Sequence, residues 1–248
     1  LDDGWFGKRN NDTCSLGDWK VNYDKLPSGI DGLAEKINKI GMKFGLWFEP
    51  EMISPDSDLY REHPDWAIHI DEREGVQSRN QMVLDLSRDE VCEYVINAVS
   101  NILANANIEY VKWDMNRQLT DMPRLGYNHE YTLGYYKIMS AITEKFPNIL
   151  FEGCSAGGGR FDAGVLAYMP QIWTSDNSDA IARLKMQYST SMCYPVYSIS
   201  SHVTASPNHQ CGRDTSLKTR ADVAYCGTFG YELDVTKMSD EEFEEIKA

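Results

Sequence analysis

The sequence predicts an α/β protein organised as a (β/α)8 TIM barrel, on three observations. Amphipathic helical stretches alternate with short apolar runs, the pattern of repeated βα units around a parallel sheet. Polar clusters follow the apolar runs, at the strand ends where barrels of this kind build their active sites. No Gly-x-Gly-x-x-Gly follows the first strand, which disfavours the dinucleotide-binding member of the same class.

The elements follow in order. Residues 30–41 carry Leu33, Ile37 and Ile40 at helical spacing and close on Gly41. Residues 43–48 form a short apolar run that reads as a buried strand and ends in Glu49-Pro50-Glu51. Ser87 with Glu90 three residues later has the capping-box pattern. It predicts a helix over 88–105 that buries Val91, Val95, Ile96, Val99, Ile102 and Leu103. A strand over 108–113 then delivers Asp114. A helix over 129–146, stopped by Pro147, leads into a strand over 148–151. A strand over 171–175 delivers Asp176, ahead of a helix over 178–190. A strand within 196–204, a helix over 214–226, a segment over 227–233 and an acidic helix from Ser239 complete the rhythm. Six strands are counted, or seven if Leu1 is the tail of one. The expectation is a single catalytic domain over residues 1–248, a barrel incomplete at its N-terminus. It would lack the first βα unit and most of the second strand, with sheet edges left exposed.

Composition narrows the function. The formal net charge is −14 and no Lys/Arg cluster occurs, which argues against a nucleic-acid partner. No run of about 18 apolar residues is present, so no membrane span is expected. The six cysteines contain no Cys-x-x-Cys pair and the five histidines no His-x-x-x-His. Reduced thiols, no metal and no cofactor are therefore expected.

The reactive groups that recur at strand ends are carboxylates: Asp2, Asp3, Glu49, Glu51, Asp114, Glu152, Asp176 and Asp179. Glycosidic bond cleavage needs such a set, with one carboxylate to attack or to activate water and another to protonate the leaving oxygen. Trp5, Trp47, Trp113 and Trp173 supply flat apolar faces on which sugar rings could stack.

Ordered motifs sharpen this reading. Leu-Asp-Asp-Gly-Trp-Phe-Gly, Gly-Leu-Trp-Phe-Glu-Pro-Glu-Met, Val-Lys-Trp-Asp-Met-Asn-Arg, Phe-Glu-Gly-Cys-Ser-Ala-Gly-Gly-Gly-Arg-Phe-Asp and Trp-Thr-Ser-Asp-Asn-Ser-Asp occur in that order. Thr-Ala-Ser-Pro-Asn-His-Gln and Gly-Thr-Phe-Gly-Tyr-Glu-Leu follow. Together they resemble glycoside hydrolase family 36, from Leu1 to about Leu233.

The resemblance implies a retaining α-galactosidase that cleaves terminal α-D-galactosyl residues from raffinose- or melibiose-type oligosaccharides. It places the nucleophile on Asp114 and the acid/base on Asp176, 62 positions apart, so that only barrel closure could bring them together. Their carboxyls would have to lie about 5–5.5 Å apart. Asp114 must be ionised, and Lys112, two residues earlier on the same strand, could help keep it so. Asp176 must carry a proton in the resting enzyme. Before Asn177 and a helix, it also reads as a helix N-cap.

For the sugar hydroxyls the resemblance points to Asp2, Asp3, Trp47, Arg88, Lys112, Cys154 and Gly157, with Asn116 orienting the site. Asp2-Asp3-Gly4 also reads as a turn, Arg88 as a first-turn helix residue, and the Asn116-Arg117 pair as a loop salt bridge. Ala156 stands where the family commonly has Gly. His202 and His209 read as structural. Within the family an α-N-acetylgalactosaminidase or a galactosyl transferase stays open, as does a non-catalytic sugar-binding barrel outside it. The resemblance further implies a homo-oligomeric parent protein with appended β domains, in the cytoplasm of a bacterial cell.

Overall fold

The computed structural model describes residues 1–247. The chain forms two compact units, Leu1–Ser155 and Ala156–Ala248.

The first unit opens on an aromatic cluster. Trp5, Phe6, Trp19, Trp47 and Phe48 are all buried, with neighbouring ring centroids as close as 4.3 Å. Its elements are α1 (Gly29–Lys39), β1 (Gly45–Phe48), β2 (Met52–Ile53), α2 (Asp58–Glu62), a 3-10 turn at Pro64–Trp66, β3 (Met82–Val83), α3 (Asp89–Ala104), β4 (Tyr110–Trp113), α4 (Tyr127–Lys145) and β5 (Leu150–Gly153). Strands β1, β4 and β5 form a parallel ladder in which Trp47, Lys112 and Glu152 lie side by side. Leu1 extends it: its amino group donates to Gly45 O at 2.9 Å and its carbonyl accepts from Trp47 N at 3.0 Å. That is the bonding of a parallel neighbour, as expected for the tail of a strand.

Two features of this unit differ from the sequence reading. The antiparallel pair β2–β3 was not foreseen, because two-residue strands have no alternation to detect. The capping box at Ser87 does not form. The N-cap of α3 is Arg88, with no side-chain cap bond, and Ser87 Oγ instead donates to Asp85 Oδ1 at 2.6 Å. Glu90 is held by Arg88 Nε at 2.8 Å and so does not bond back. The predicted apolar face is nonetheless correct: Val91, Val95, Val99, Ile102 and Leu103 are buried, and Ile96 is half-buried.

The second unit contains α5 (Ala163–Leu166), β6 (Gln171–Trp173), α6 (Ala180–Ser191), a 3-10 turn at Val196–Ser198, β7 (Ile199–Thr204), α7 (Leu217–Ala224), β8 (Thr228–Glu232) and α8 (Asp240–Lys247). β6, β7 and β8 pair in parallel, with Ile172 opposite Ile199 and the run Ser200–Thr204 opposite Thr228–Glu232. The core under this ladder includes Val203, Leu217 and Ala224, with Ala221, Leu233 and Ile246 packed against them. Each unit is thus α/β with parallel strands, as the alternating pattern predicts.

One close approach sets how α3 and α4 pack. A Cβ on Gly134 of α4 would stand 1.8 Å from Leu86 O and 3.1 Å from Cys92 Sγ. Alanine is the better helix former by about 1 kcal/mol, but the first of these neighbours is backbone and cannot turn aside. Gly134→Ala is therefore expected to destabilise the fold, by about 2 kcal/mol, as measured by urea denaturation.

Candidate active site

In the first unit the site is built where β1 and β4 end. The Asp114 N–H donates to Phe48 O at 2.8 Å, which continues the β1–β4 ladder one rung past Trp113. The carboxylate is only 7% exposed. Its Oδ2 accepts from Trp47 Nε1 at 3.1 Å and Asn116 Nδ2 at 2.7 Å, and its Oδ1 from Met115 N at 2.8 Å. Three N–H donors from three residues fix the plane of the group.

Asn116 joins several parts. Besides holding Asp114, its N–H donates to Glu49 Oε1 at 2.5 Å, and its own Oδ1 accepts from Arg79 Nη1. Its neighbour Arg117 is buried and donates to Val76 O at 2.7 Å and Thr120 Oγ1 at 2.8 Å, so it anchors the loop.

Glu49 is fully inside the protein, 1% exposed, and also accepts from Gln81 Nε2 at 2.8 Å. Burial, and next the charge of Asp114, push its carboxyl up to about 7. A buried acid that titrates near neutrality therefore lies beside the nucleophile candidate. Glu51 is buried too, and brackets the fold by accepting from Trp113 Nε1 at 2.9 Å and Tyr131 OH at 2.7 Å.

The sugar-binding candidates are placed unequally. Asp2, Trp47 and Lys112 line one cavity of about 220 Å³ beside Leu1 and Tyr110. Asp3 pairs with Arg9, whose Nη2 lies 2.9 Å from its Oδ2, and its side chain stays 39% exposed. The turn reading holds as well, because Asp2 Oδ1 accepts from Asp3 N at 2.8 Å and Asp3 Oδ1 from Gly4 N at 2.7 Å. Cys154 is buried, and its N–H donates to Trp113 O at 2.8 Å.

Arg88 is not brought to this cluster. Its guanidinium pairs with Asp65 at 2.8 Å and Glu90 at 2.7 Å, the first-turn helix alternative. The arginine beside Asn116 is Arg79, which the sequence reading missed. Arg79 and Asn80 are consecutive left-handed residues, φ +52° and +60°, and neither is a glycine that would have marked the turn.

The second unit carries Asp176 and Gly157. Asp176 is exposed, three residues beyond the end of β6. The N-cap of the following helix is Asp179, whose Oδ2 accepts from Ala182 N at 3.0 Å, so capping does not claim the Asp176 carboxyl. Gly157 has φ +89°, and a Cβ there would meet Ser175 Cα at 2.7 Å and Asp176 N at 3.0 Å. Its place in the motif is a steric requirement of the Asp176 segment. Ala156 adopts the left-handed region at φ +45°, where glycine would be unstrained. His202 stacks on Trp173 at 4.8 Å and lies 3.3 Å from Glu232 Oε2, as a structural histidine would.

Among the described residues no group of three or more His, Cys, Asp or Glu side chains is arranged to hold a metal ion. No helix among the described residues is long and apolar enough to cross a membrane. The six cysteines are all free thiols.

Glu49 makes stability depend on pH. The folded chain holds this proton up to about pH 7, whereas an unfolded glutamate releases it near 4.5. The folded state therefore binds more protons across that window, and stability falls as pH rises through it. Glu49→Gln imitates the protonated acid. It is expected to flatten this slope and to be more stable than the parent above about pH 7, by about 3 kcal/mol at most. Urea denaturation at pH values on either side of the window checks this.

The family described as Melibiase matches residues 1–248. α-Galactosidase AgaA of Geobacillus stearothermophilus is 56% identical over 255 residues, covering 100% of this chain and 35% of the relative. α-Galactosidase Mel36A of Lactobacillus acidophilus is 52% identical, covering 99% of this chain and 35% of the relative. The crystal structure of a doubly substituted GH36 α-galactosidase AgaA from Geobacillus stearothermophilus in complex with raffinose matches with a TM-score of 0.97 at 56% identity, over 100% of this chain and 36% of that one. The galactosidase domain of the α-galactosidase–sucrose kinase AgaSK, from Mediterraneibacter gnavus, matches with a TM-score of 0.98 at 53% identity, over 100% of this chain and 34% of that one. The chain thus spans about a third of the length of AgaA and Mel36A.

Proposed function

The chain belongs to the melibiase family, glycoside hydrolase family 36, and from that premise we propose that it carries the catalytic machinery of a retaining α-galactosidase. The observation that carries this reading is the Asp114 carboxylate, which is buried beyond the end of β4 and oriented by Trp47, Asn116 and Met115. Such a group is pre-aimed for attack, because its donors leave it little freedom to turn away.

In this reading an Asp114 oxygen attacks the anomeric carbon of a terminal α-galactosyl residue while Asp176 passes its proton to the departing glycosidic oxygen. The covalent galactosyl-enzyme then yields to water, which gives a proton to Asp176 as it attacks from the vacated side. Two inversions return the anomeric centre to its original hand. The substrates are terminal α-galactosides of the raffinose and melibiose type, and the raffinose bound by AgaA supports that class. Asp2, Asp3, Trp47, Lys112, Cys154 and Gly157 would hold the sugar, with Arg79 taking the place first given to Arg88. Paired carboxylate acceptors suit an axial hydroxyl that a glucoside would present differently.

Residues 1–248 are read as one catalytic (β/α)8 region, supported by the parallel ladders and by the bonds of Leu1 to β1. The reaction asks for neither metal nor cofactor. The parent protein is read as a homo-oligomer, and a bacterial cytoplasm suits six free thiols.

In the full-length protein, p-nitrophenyl α-galactoside should be cleaved in preference to its N-acetyl analogue. Proton NMR should show the α-anomer released first; release of the β-anomer would remove Asp114 as nucleophile. Asp114→Gly should lower turnover by at least ~10³-fold, or about 4 kcal/mol of barrier, and regain activity with azide. Arg79→Ala should raise KM for the galactoside about tenfold, the loss of one charged hydrogen bond. Arg88→Ala should leave kcat/KM within about twofold, the usual effect of an exposed ion pair.

A further inference from the structure

The Ser-Pro-Asn-His-Gln stretch after β7 has no part in the chemistry above, yet it reaches the backbone that carries Asp176. Gln210 Nε2 donates to Asp176 O at 2.7 Å, and Gln210 Oε1 accepts from Ser178 N at 2.9 Å. One side-chain amide thus brackets residues 176–178, as a neighbouring strand would through its peptide group. The bracket is itself anchored. Gln210 N donates to Asn208 Oδ1 at 3.0 Å, and the buried Asn208 donates from Nδ2 to Ser178 Oγ at 3.0 Å.

The rest of this segment is gripped from within the unit. The buried Arg183 donates to Thr174 Oγ1 at 2.7 Å and Ser175 O at 3.1 Å, and the backbone at Gly157 closes on Ser175 and Asp176. Those two are part of the packed interior. Gln210 is exposed, and its bonds fall on the two peptide groups that flank Asn177.

We infer that Gln210 is a positioning residue for the acid/base, holding the 176–178 backbone so that the Asp176 carboxyl is presented at one place and angle. The inference rests on the reading of Asp176 as the acid/base. A misplacement of about 1 Å in such a group can cost on the order of a hundredfold in rate. The cost should fall on the step that needs its proton. A sugar leaving as an alkoxide needs that proton, whereas p-nitrophenolate departs without it.

The test uses the full-length protein with Gln210→Met, which removes both bonds at similar length, and Gln210→Glu, which replaces the donor toward Asp176 O with an oxygen. Asp176→Ala is the reference. For each, kcat/KM is measured on raffinose and on p-nitrophenyl α-galactoside; their ratio within one preparation does not depend on how much of it is folded. Both Gln210 variants should lose about 10- to 100-fold on raffinose and less than about threefold on the aryl galactoside, with Asp176→Ala splitting the substrates more widely still. If Asp176→Ala splits them and the Gln210 variants lower both equally, or neither, the positioning role is overturned while the acid/base reading stands. If Asp176→Ala does not split them, the acid/base reading falls and the positioning role falls with it.

Discussion

The bond from Asp114 N to Phe48 O is the constraint on which the first unit's site depends. It is a ladder bond, made by backbone, and it carries the β1–β4 pairing one residue beyond the last side chain of the strand proper. Because of it, Asp114 inherits the rigidity of the sheet although it lies at the edge of a loop. Trp47, in register with Lys112, is then in reach to donate to the Asp114 carboxylate. A buried aromatic ring packed against Phe6 and Trp19 cannot turn away, so the packing of that cluster is passed on to the orientation of the acid.

Glu49 gives the same region its electrostatic character. Burial, and next the charge of Asp114 beside it, drive the Glu49 carboxyl upward. The protein accepts this cost while satisfying one Glu49 oxygen with donors from Gln81 and Asn116. Asn116 is the common partner, bonded to Glu49 by its main chain and to Asp114 and Arg79 by its side chain. A change in the proton on Glu49 is therefore felt at Asp114 through charge and through a shared residue.

Much of this was legible without coordinates, for reasons that can be named. Alternating βα patterns have strong periods, so the six long-range parallel strands were found, and Asp114 and Asp176 were placed just past strand ends. The helix over 89–104 was found by its apolar face. The errors arose where local signals competed. Ser87 matched a capping box, but its N–H and its hydroxyl both donate to Asp85 Oδ1 two residues earlier, and the N-cap falls on Arg88. Arg88 and Arg79 are both arginines ahead of α3, and only backbone dihedrals and a bond across 37 positions distinguish the one beside Asn116. The amide bracket at Gln210 spans 34 positions and two backbone groups, which no side-chain pattern records.

The sequence by itself determined the class of fold and the family, because periodicity and ordered motifs are properties of residue type and spacing. Tertiary structure alone decided which groups hold Asp114, that Asp179 and not Asp176 caps its helix, and that Glu49 is an acid titrating near neutrality. These depend on distance and on exclusion of water, and neither is a function of position along the chain. Asp114 shows the division clearly: its place after a strand was written in the residues around it, but its orientation comes from a tryptophan 67 positions away.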